Sequence, residues 1–177
     1  MKTLNLLSLL FFAILFCSTA SYAQEVLSAD KASIRGNTDV VFKSKSISRD
    51  SFVVADTENE LSDKKLNVYN AAKFSKRPAY IIYPTITEVF SKERLQLLVR
   101  ERSLVINYYV TKTGAVKEVT FSFRKFTTIN ADELAKLEYR ILKNISFNIP
   151  PKATKGEELF ILRDEIPYRG ILDRTVI

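Results

Sequence analysis

The chain has 177 residues, with 27 Lys and Arg against 20 Asp and Glu, a formal net charge of +7 and no His. It holds one Cys (Cys17), no Trp and four Gly (Gly36, Gly114, Gly156, Gly170). No imidazole means no Ser-His-Asp or Cys-His relay; a lone cysteine excludes an internal disulfide and a thiolate zinc site; four scattered glycines cannot build a P-loop or a dinucleotide loop. No cofactor and no metal are expected.

Lys2 opens a basic n-region, residues 4–16 are mostly apolar, and Ser21-Tyr22-Ala23 places small residues at the −3 and −1 positions of a cut before Gln24. This is the pattern of a secretory signal peptide over residues 1–23. The apolar run is short of the roughly 20 residues a membrane span needs. Phe16 is bulky where a lipoprotein site at Cys17 wants a small residue. Cleavage leaves 154 residues and a charge of +6, because Lys2 is lost with the leader. The expected product is exported, to the periplasm, the outer-membrane surface or beyond, with no transmembrane segment left.

Residues 24–77 are polar, with ten cations and eight acids, and apolar residues fall in two islands, 40–42 and 52–55. Such a segment struggles to offset its ordering entropy unaided. It is read as an N-terminal extension, partly disordered or with short strands docked on a domain at 78–177.

The pattern sharpens from Pro78. Residues 80–83 (Tyr-Ile-Ile-Tyr) read as a short strand ended by Pro84. Ser91 is an N-cap, with Glu93 in the first turn, and Leu95, Leu98 and Val99 give the apolar stripe of a helix over 92–102. Arg102, seven residues after Leu95, lays its stem along that stripe, while Lys92, Arg100 and Glu101 face solvent. Residues 104–110 alternate with β-branched and aromatic types, turn at Lys112-Thr113-Gly114, and return through Val116, Val119, Phe121 and Phe123. This is a β-hairpin, with a bulge near Lys117-Glu118 where the apolar phase changes. Asn130 and Glu133 have capping-box spacing before a helix over 131–143 with the stripe Leu134, Leu137, Ile141. Residues 145–149 alternate until Pro150, residues 159–162 form a final strand, and Pro167 and Gly170 mark an irregular tail. The fold class is therefore α+β: a small antiparallel sheet with two helices on one face, in the order strand-helix-hairpin-helix-strand.

The pair Tyr83-Pro84 before the first helix, the run Gly114-Ala115-Val116-Lys117-Glu118-Val119, the second helix, and Phe147 with Pro150 resemble the C-terminal domain of TonB-type energy-transducing proteins over about residues 80–165. Those transducers carry an uncleaved membrane anchor and a long Pro-rich spacer. This chain has a cleavable leader and five Pro, so it is not expected to transmit force from an inner membrane. The whole chain also resembles small, uncharacterised secreted proteins of Gram-negative gut anaerobes.

The remaining acids, among them Glu118, Asp132, Glu133, Glu138, Glu157, Glu158, Asp164 and Glu165, read as solvated surface, with Asp132 and Glu133 committed to a helix start. The cations are dispersed, in groups such as Lys43/Lys45/Arg49 and Arg124/Lys125. Export argues against nucleic acid as partner; attraction to an anionic envelope polymer is the functional alternative to a plain solvated surface. Tyr108 and Tyr109 point to opposite faces of their strand, leaving Tyr109 exposed or beneath the N-terminal segment. The strand 159–163 is read as a sheet edge, which the TonB-like resemblance makes a place for strand addition; a second copy, or residues 40–42 or 52–54 of the same chain, are the alternative partners of that edge. The candidate binding residues are Tyr83, Tyr109, Leu159, Ile161 and Arg163. The expected function is a non-enzymatic interaction module of the cell envelope, binding an envelope protein or polymer through a sheet edge or aromatic face. The alternatives are a carboxylate-dependent glycan hydrolase and a self-associating structural component.

Overall fold

Alternating side chains along residues 104–110 and 116–123 build the centre of the molecule. β6 (Ser103–Thr111) and β7 (Val116–Arg124) pair antiparallel, and the register slips between Tyr109 and Val110, opposite Glu118 and Val116, which leaves Lys117 as the bulge. Gly114 makes the turn at φ 88°, where a Cβ atom would stand 1.7 Å from the Phe147 carbonyl oxygen. Only glycine fits there.

The chain is seen in a computed structural model that describes residues 26–28, 33–36, 38–74, 78–124, 126–150 and 156–174. The signal-peptide expectation over residues 1–23 lies outside the described residues. The remaining strands are β1 (Val26–Ser28), β2 (Ile34–Arg35), β3 (Val41–Ser48), β4 (Ser51–Asp56), β5 (Val68–Asn70), β8 (Phe126–Asn130) and β9 (Leu159–Pro167). The helices are α1 (Pro78–Thr87), α2 (Lys92–Leu98), α3 (Ala131–Asn144) and α4 (Tyr168–Arg174). Seven strands form one sheet in the order β2-β3-β4-β7-β6-β9-β5, antiparallel except for the parallel β5–β9 pair, while β1 and β8 pair separately. The fold is α+β.

By register, Phe52, Val54, Phe121, Phe123, Ile106, Tyr108 and Leu162 share one face of the sheet. They join one buried cluster with Ile82 and Ile86 of α1, Leu95 and Leu98 of α2, Leu134, Leu137 and Ile141 of α3, and Tyr168 and Ile171 of α4. The two islands read at 40–42 and 52–55 are the β3–β4 hairpin, and Phe42 and Phe52 are fully buried. Burying one such ring stabilises the fold by about 1.5–3 kcal/mol, which is how a polar segment offsets its ordering entropy.

Four local expectations change. Residues 80–83 are helical, not a strand, and Pro84 lies inside α1. Ile82, Ile86 and Phe90 recur every four residues and are all buried, so a helical stripe outweighs the one backbone donor that Pro84 lacks. The helix expected over 92–102 ends at Leu98, continues as a 3-10 turn at Val99–Glu101, and breaks at Arg102. Residues 145–149 contribute only the isolated Ala115–Ser146 bridge rather than a strand. The tail after Pro167 is α4, where Tyr168 and Ile171, three apart, are both fully buried. Among the described residues no helix is long and apolar enough to cross a membrane.

Candidate functional site

The residues expected to bind do not gather. Tyr109 is 4% exposed. Burial pushes its hydroxyl's pKa up. The loop after β4 is tied down beside it: Asn59 Nδ2 donates to the Val119 carbonyl (2.9 Å), and the Glu118 carboxylate accepts from the N–H groups of Glu60 (2.9 Å) and Leu61 (2.8 Å). Tyr109 thus offers no open aromatic face. Tyr83 is half-buried on α1, with the Arg174 guanidinium 4.9 Å above its ring. Leu159, Ile161 and Arg163 lie on β9, which is not a free edge. β6 pairs with it along its length, and β5 covers the other side over Ile161–Arg163, with Val68 opposite Ile161 and Asn70 opposite Arg163. The N-terminal segment competes for that edge, a pairing that strand propensity alone does not reveal.

Two clefts stand out elsewhere among the described residues. The larger, about 630 Å³, is lined by Arg94, Leu97, Arg100, Glu101, Arg102, Ser103, Phe123, Arg124 and Thr128. It lies where β6 begins and β7 ends, below the 3-10 turn. Four arginines face one acid. Arg94 is engaged: Nε donates to Glu133 Oε1 (2.6 Å), and a terminal nitrogen donates to Glu133 Oε2 (2.9 Å) and to the Thr128 carbonyl (2.5 Å). The hydrogen bond to Glu133 holds the guanidinium's pKa above its ordinary value. Glu101 is engaged as well, accepting from the Thr128 N–H (2.7 Å), the Thr128 hydroxyl (2.7 Å) and the Thr127 hydroxyl (2.6 Å). Arg100, Arg102 and Arg124 form no ion pair among the described residues. They stand near a floor set by Phe123 and a rim at Leu97, which is 58% exposed.

Arg102 has φ 73° and ψ −67°. This is a rare, strained γ-turn geometry for a residue with a Cβ. Its N–H donates to the Val99 carbonyl (3.2 Å), and its own carbonyl accepts from the Tyr168 N–H (3.0 Å). The strained backbone is therefore pinned on both sides, and the side chain is delivered to the cleft mouth.

The smaller cleft, about 390 Å³, is lined by Val40, Asp56, Glu58, Asn59, Lys117, Glu118, Ala135, Glu138, Tyr139 and Leu142. Glu138 occupies a core position of α3, four residues after Leu134, and is 6% exposed. Burial, then the charges of Asp56 and Glu118, push its carboxyl up to about 8, so it is mainly protonated at neutral pH. Among the described residues no three carboxylates are placed as a metal set. From the sequence alone Arg100 reads as solvent-facing, Arg124 as one of a dispersed cation pair and Glu138 as a surface acid. The signal for Glu138 was present: with Leu134, Leu137 and Ile141 it completes the i, i+3, i+4, i+7 pattern.

No protein-family model and no curated protein matches the chain. Among solved structures, it is similar to a DUF5043 family protein from Bacteroides uniformis ATCC 8492, with a TM-score of 0.63 at 12% identity, over 80% of this chain and 86% of that one. That is a likeness of fold, consistent with the expected resemblance to an uncharacterised family.

Proposed function

We propose that the chain is an exported, non-enzymatic interaction module of the cell envelope that holds an anionic group of an envelope polymer or protein in the arginine cleft. The observation that carries this reading is the convergence of Arg100, Arg102 and Arg124, without ion-pair partners among the described residues, on one concave surface beside Phe123 and Leu97. Guanidinium groups bind sulfate, phosphate and carboxylate with forked hydrogen bonds, and a cleft with low-dielectric walls focuses their field. Spending strain at Arg102 fits a residue placed for binding. The TonB C-terminal-like expectation belongs to the same reading, supported by the Gly114 hairpin, the helix after it and β9 lying antiparallel beside β6. The partner then sits at the end of the sheet rather than along β9.

The test is binding of sulfated dextran at low salt to the wild type and to Arg100→Ser/Arg124→Ser. The expected loss is about tenfold or more, with a shallower salt dependence in the variant. Equal affinity and equal salt slope would refute the proposal. The hydrolase alternative draws on the other cleft, where Glu138 has the raised carboxyl of a general acid. It requires turnover of a glycan that Glu138→Gln abolishes.

A further inference from the structure

The cleft around Glu138 is independent of the arginine cleft and has the opposite charge. Asp56, Glu58, Glu118 and Glu138 line it against one cation, Lys117. Asp56 and Glu118 are held by backbone donors: Asp56 Oδ1 accepts from the Glu58 N–H (2.9 Å), and Glu118 accepts from Glu60 and Leu61. Glu138 differs. It is 94% buried, it lines the cleft, and it makes no hydrogen bond or ion pair among the described residues. Its carboxyl oxygens face the cleft rather than a protein donor, and ionising a carboxyl with so little access to water is costly unless a cation enters beside it. Val40, Ala135 and Leu142 provide apolar wall beside it, and the Tyr139 ring, 59% exposed, stands among the lining. Of the other charges on the elements packed there, Arg35 on β2 and Lys136 on α3 lie outside the lining. Arg140 is paired with Glu88, and the Lys143 ammonium lies over the Tyr139 ring.

We propose that this cleft binds an alkylammonium cation, the chemistry shared by a free aliphatic amine and a lysine side chain, with the Glu138 carboxylate as its buried counter-charge and Asp56 and Glu118 as flanking acceptors. The apolar walls cover the methylene stem. Because Glu138 is mainly protonated when the cleft is empty, the arriving ammonium ion displaces its proton, which passes to solvent.

The experiment is isothermal titration of the full chain with 1,5-diaminopentane at pH 7, in two buffers of different ionisation enthalpy. The expected result is saturable binding below about 10 mM with release of roughly 0.9 proton per site, the protonated fraction one unit below a pKa of about 8. Glu138→Gln keeps the shape and cannot ionise, so proton release vanishes and affinity falls about tenfold or more. Should that variant fail to fold, Asp56→Asn carries the test, with weaker binding and retained proton release. Nα-acetyl-lysine amide, titrated in parallel, separates a partner's lysine from a free amine as the source. Wild-type protein that shows no saturable binding of either probe overturns the proposal, as does binding that Glu138→Gln and Asp56→Asn leave unchanged.

Discussion

The Glu133 carboxylate accepts three N–H donors: Arg94 Nε (2.6 Å), a terminal Arg94 nitrogen (2.9 Å) and the backbone of Asn130 (3.0 Å). One side chain therefore completes the capping box of α3 and ties α2 to it, while fixing an arginine in the cleft wall. Arg94 and Glu133 are only 22% and 18% exposed, so water screens the pair weakly. Glu133→Gln keeps the size and loses the charge. The expected cost is about 2 kcal/mol, a fall in Tm of roughly 4–8 °C in a thermal melt, with weaker binding of sulfated dextran as Arg94 loosens. An unchanged Tm would mean the pair contributes nothing net.

Arg102 separates stability from binding. Arg102→Gly relieves the γ-turn strain, worth about 1 kcal/mol, and Tm is expected to rise by roughly 2–4 °C. Arg102→Ala keeps the Cβ and so gains no such rise. Both remove the guanidinium and weaken polyanion binding. Melting curves and binding isotherms on the two variants check this directly.

Glu138 makes stability fall as pH rises. Its folded pKa is about 8, against an ordinary 4.5. Between those values the unfolded chain has lost the proton and the folded chain retains it, so the slope is negative, approaching about 1.4 kcal/mol per pH unit at most. Stability contributed by the protonated form is present below pH 4.5 and is lost on the way to pH 8. Glu138→Gln is expected to flatten the urea-derived stability profile between pH 5 and 8, with its largest advantage over the wild type at the alkaline end. Parallel profiles would count against the assignment.

Gly114→Ala must fail for two reasons at once, the φ of 88° and the Phe147 carbonyl 1.7 Å from the new Cβ. Relief breaks the hydrogen bond from the Phe147 N–H to the Gly114 carbonyl (2.9 Å) and disturbs the contact between the Tyr108 and Phe147 rings. The expected cost is about 3 kcal/mol or more in urea unfolding. Gly156→Ala is the control: its φ is 85° but nothing lies within 4 Å, so only the backbone strain of about 1–2 kcal/mol is expected.

Tyr168 is fully buried, and its hydroxyl has no hydrogen-bond partner among the described residues. Burial raises the hydroxyl's pKa far above the ordinary range for tyrosine. Removing a buried hydroxyl that satisfies nothing is neutral or stabilising. Tyr168→Phe is expected to raise Tm or leave it unchanged, and a fall of several degrees would reveal a partner for the oxygen.

Local physics was legible wherever the pattern repeats along the chain. The β6–β7 hairpin, its bulge at Lys117, the Asn130–Glu133 capping box and the stripe of α3 follow from alternation, turn chemistry and a 3.6-residue period. Over α1 Pro84 reads as a stop, although Ile82 and Ile86 keep helical spacing across it and Phe90 continues that spacing. What covers β9 was not legible, since β5 reaches it from about 90 residues away, and no local signal specifies a long-range parallel pairing. The arginine cleft has the same origin: Arg100 and Arg102 follow α2 while Arg124 ends β7, and only the β6–β7 ladder brings them to one place.

By itself the sequence determined the α+β class, the central hairpin, the capped helix and the lack of imidazole, because composition and short periods are local properties. The tertiary structure alone decided which edge is covered, which acid is buried and which arginines converge, because desolvation and charge proximity depend on neighbours distant in the chain.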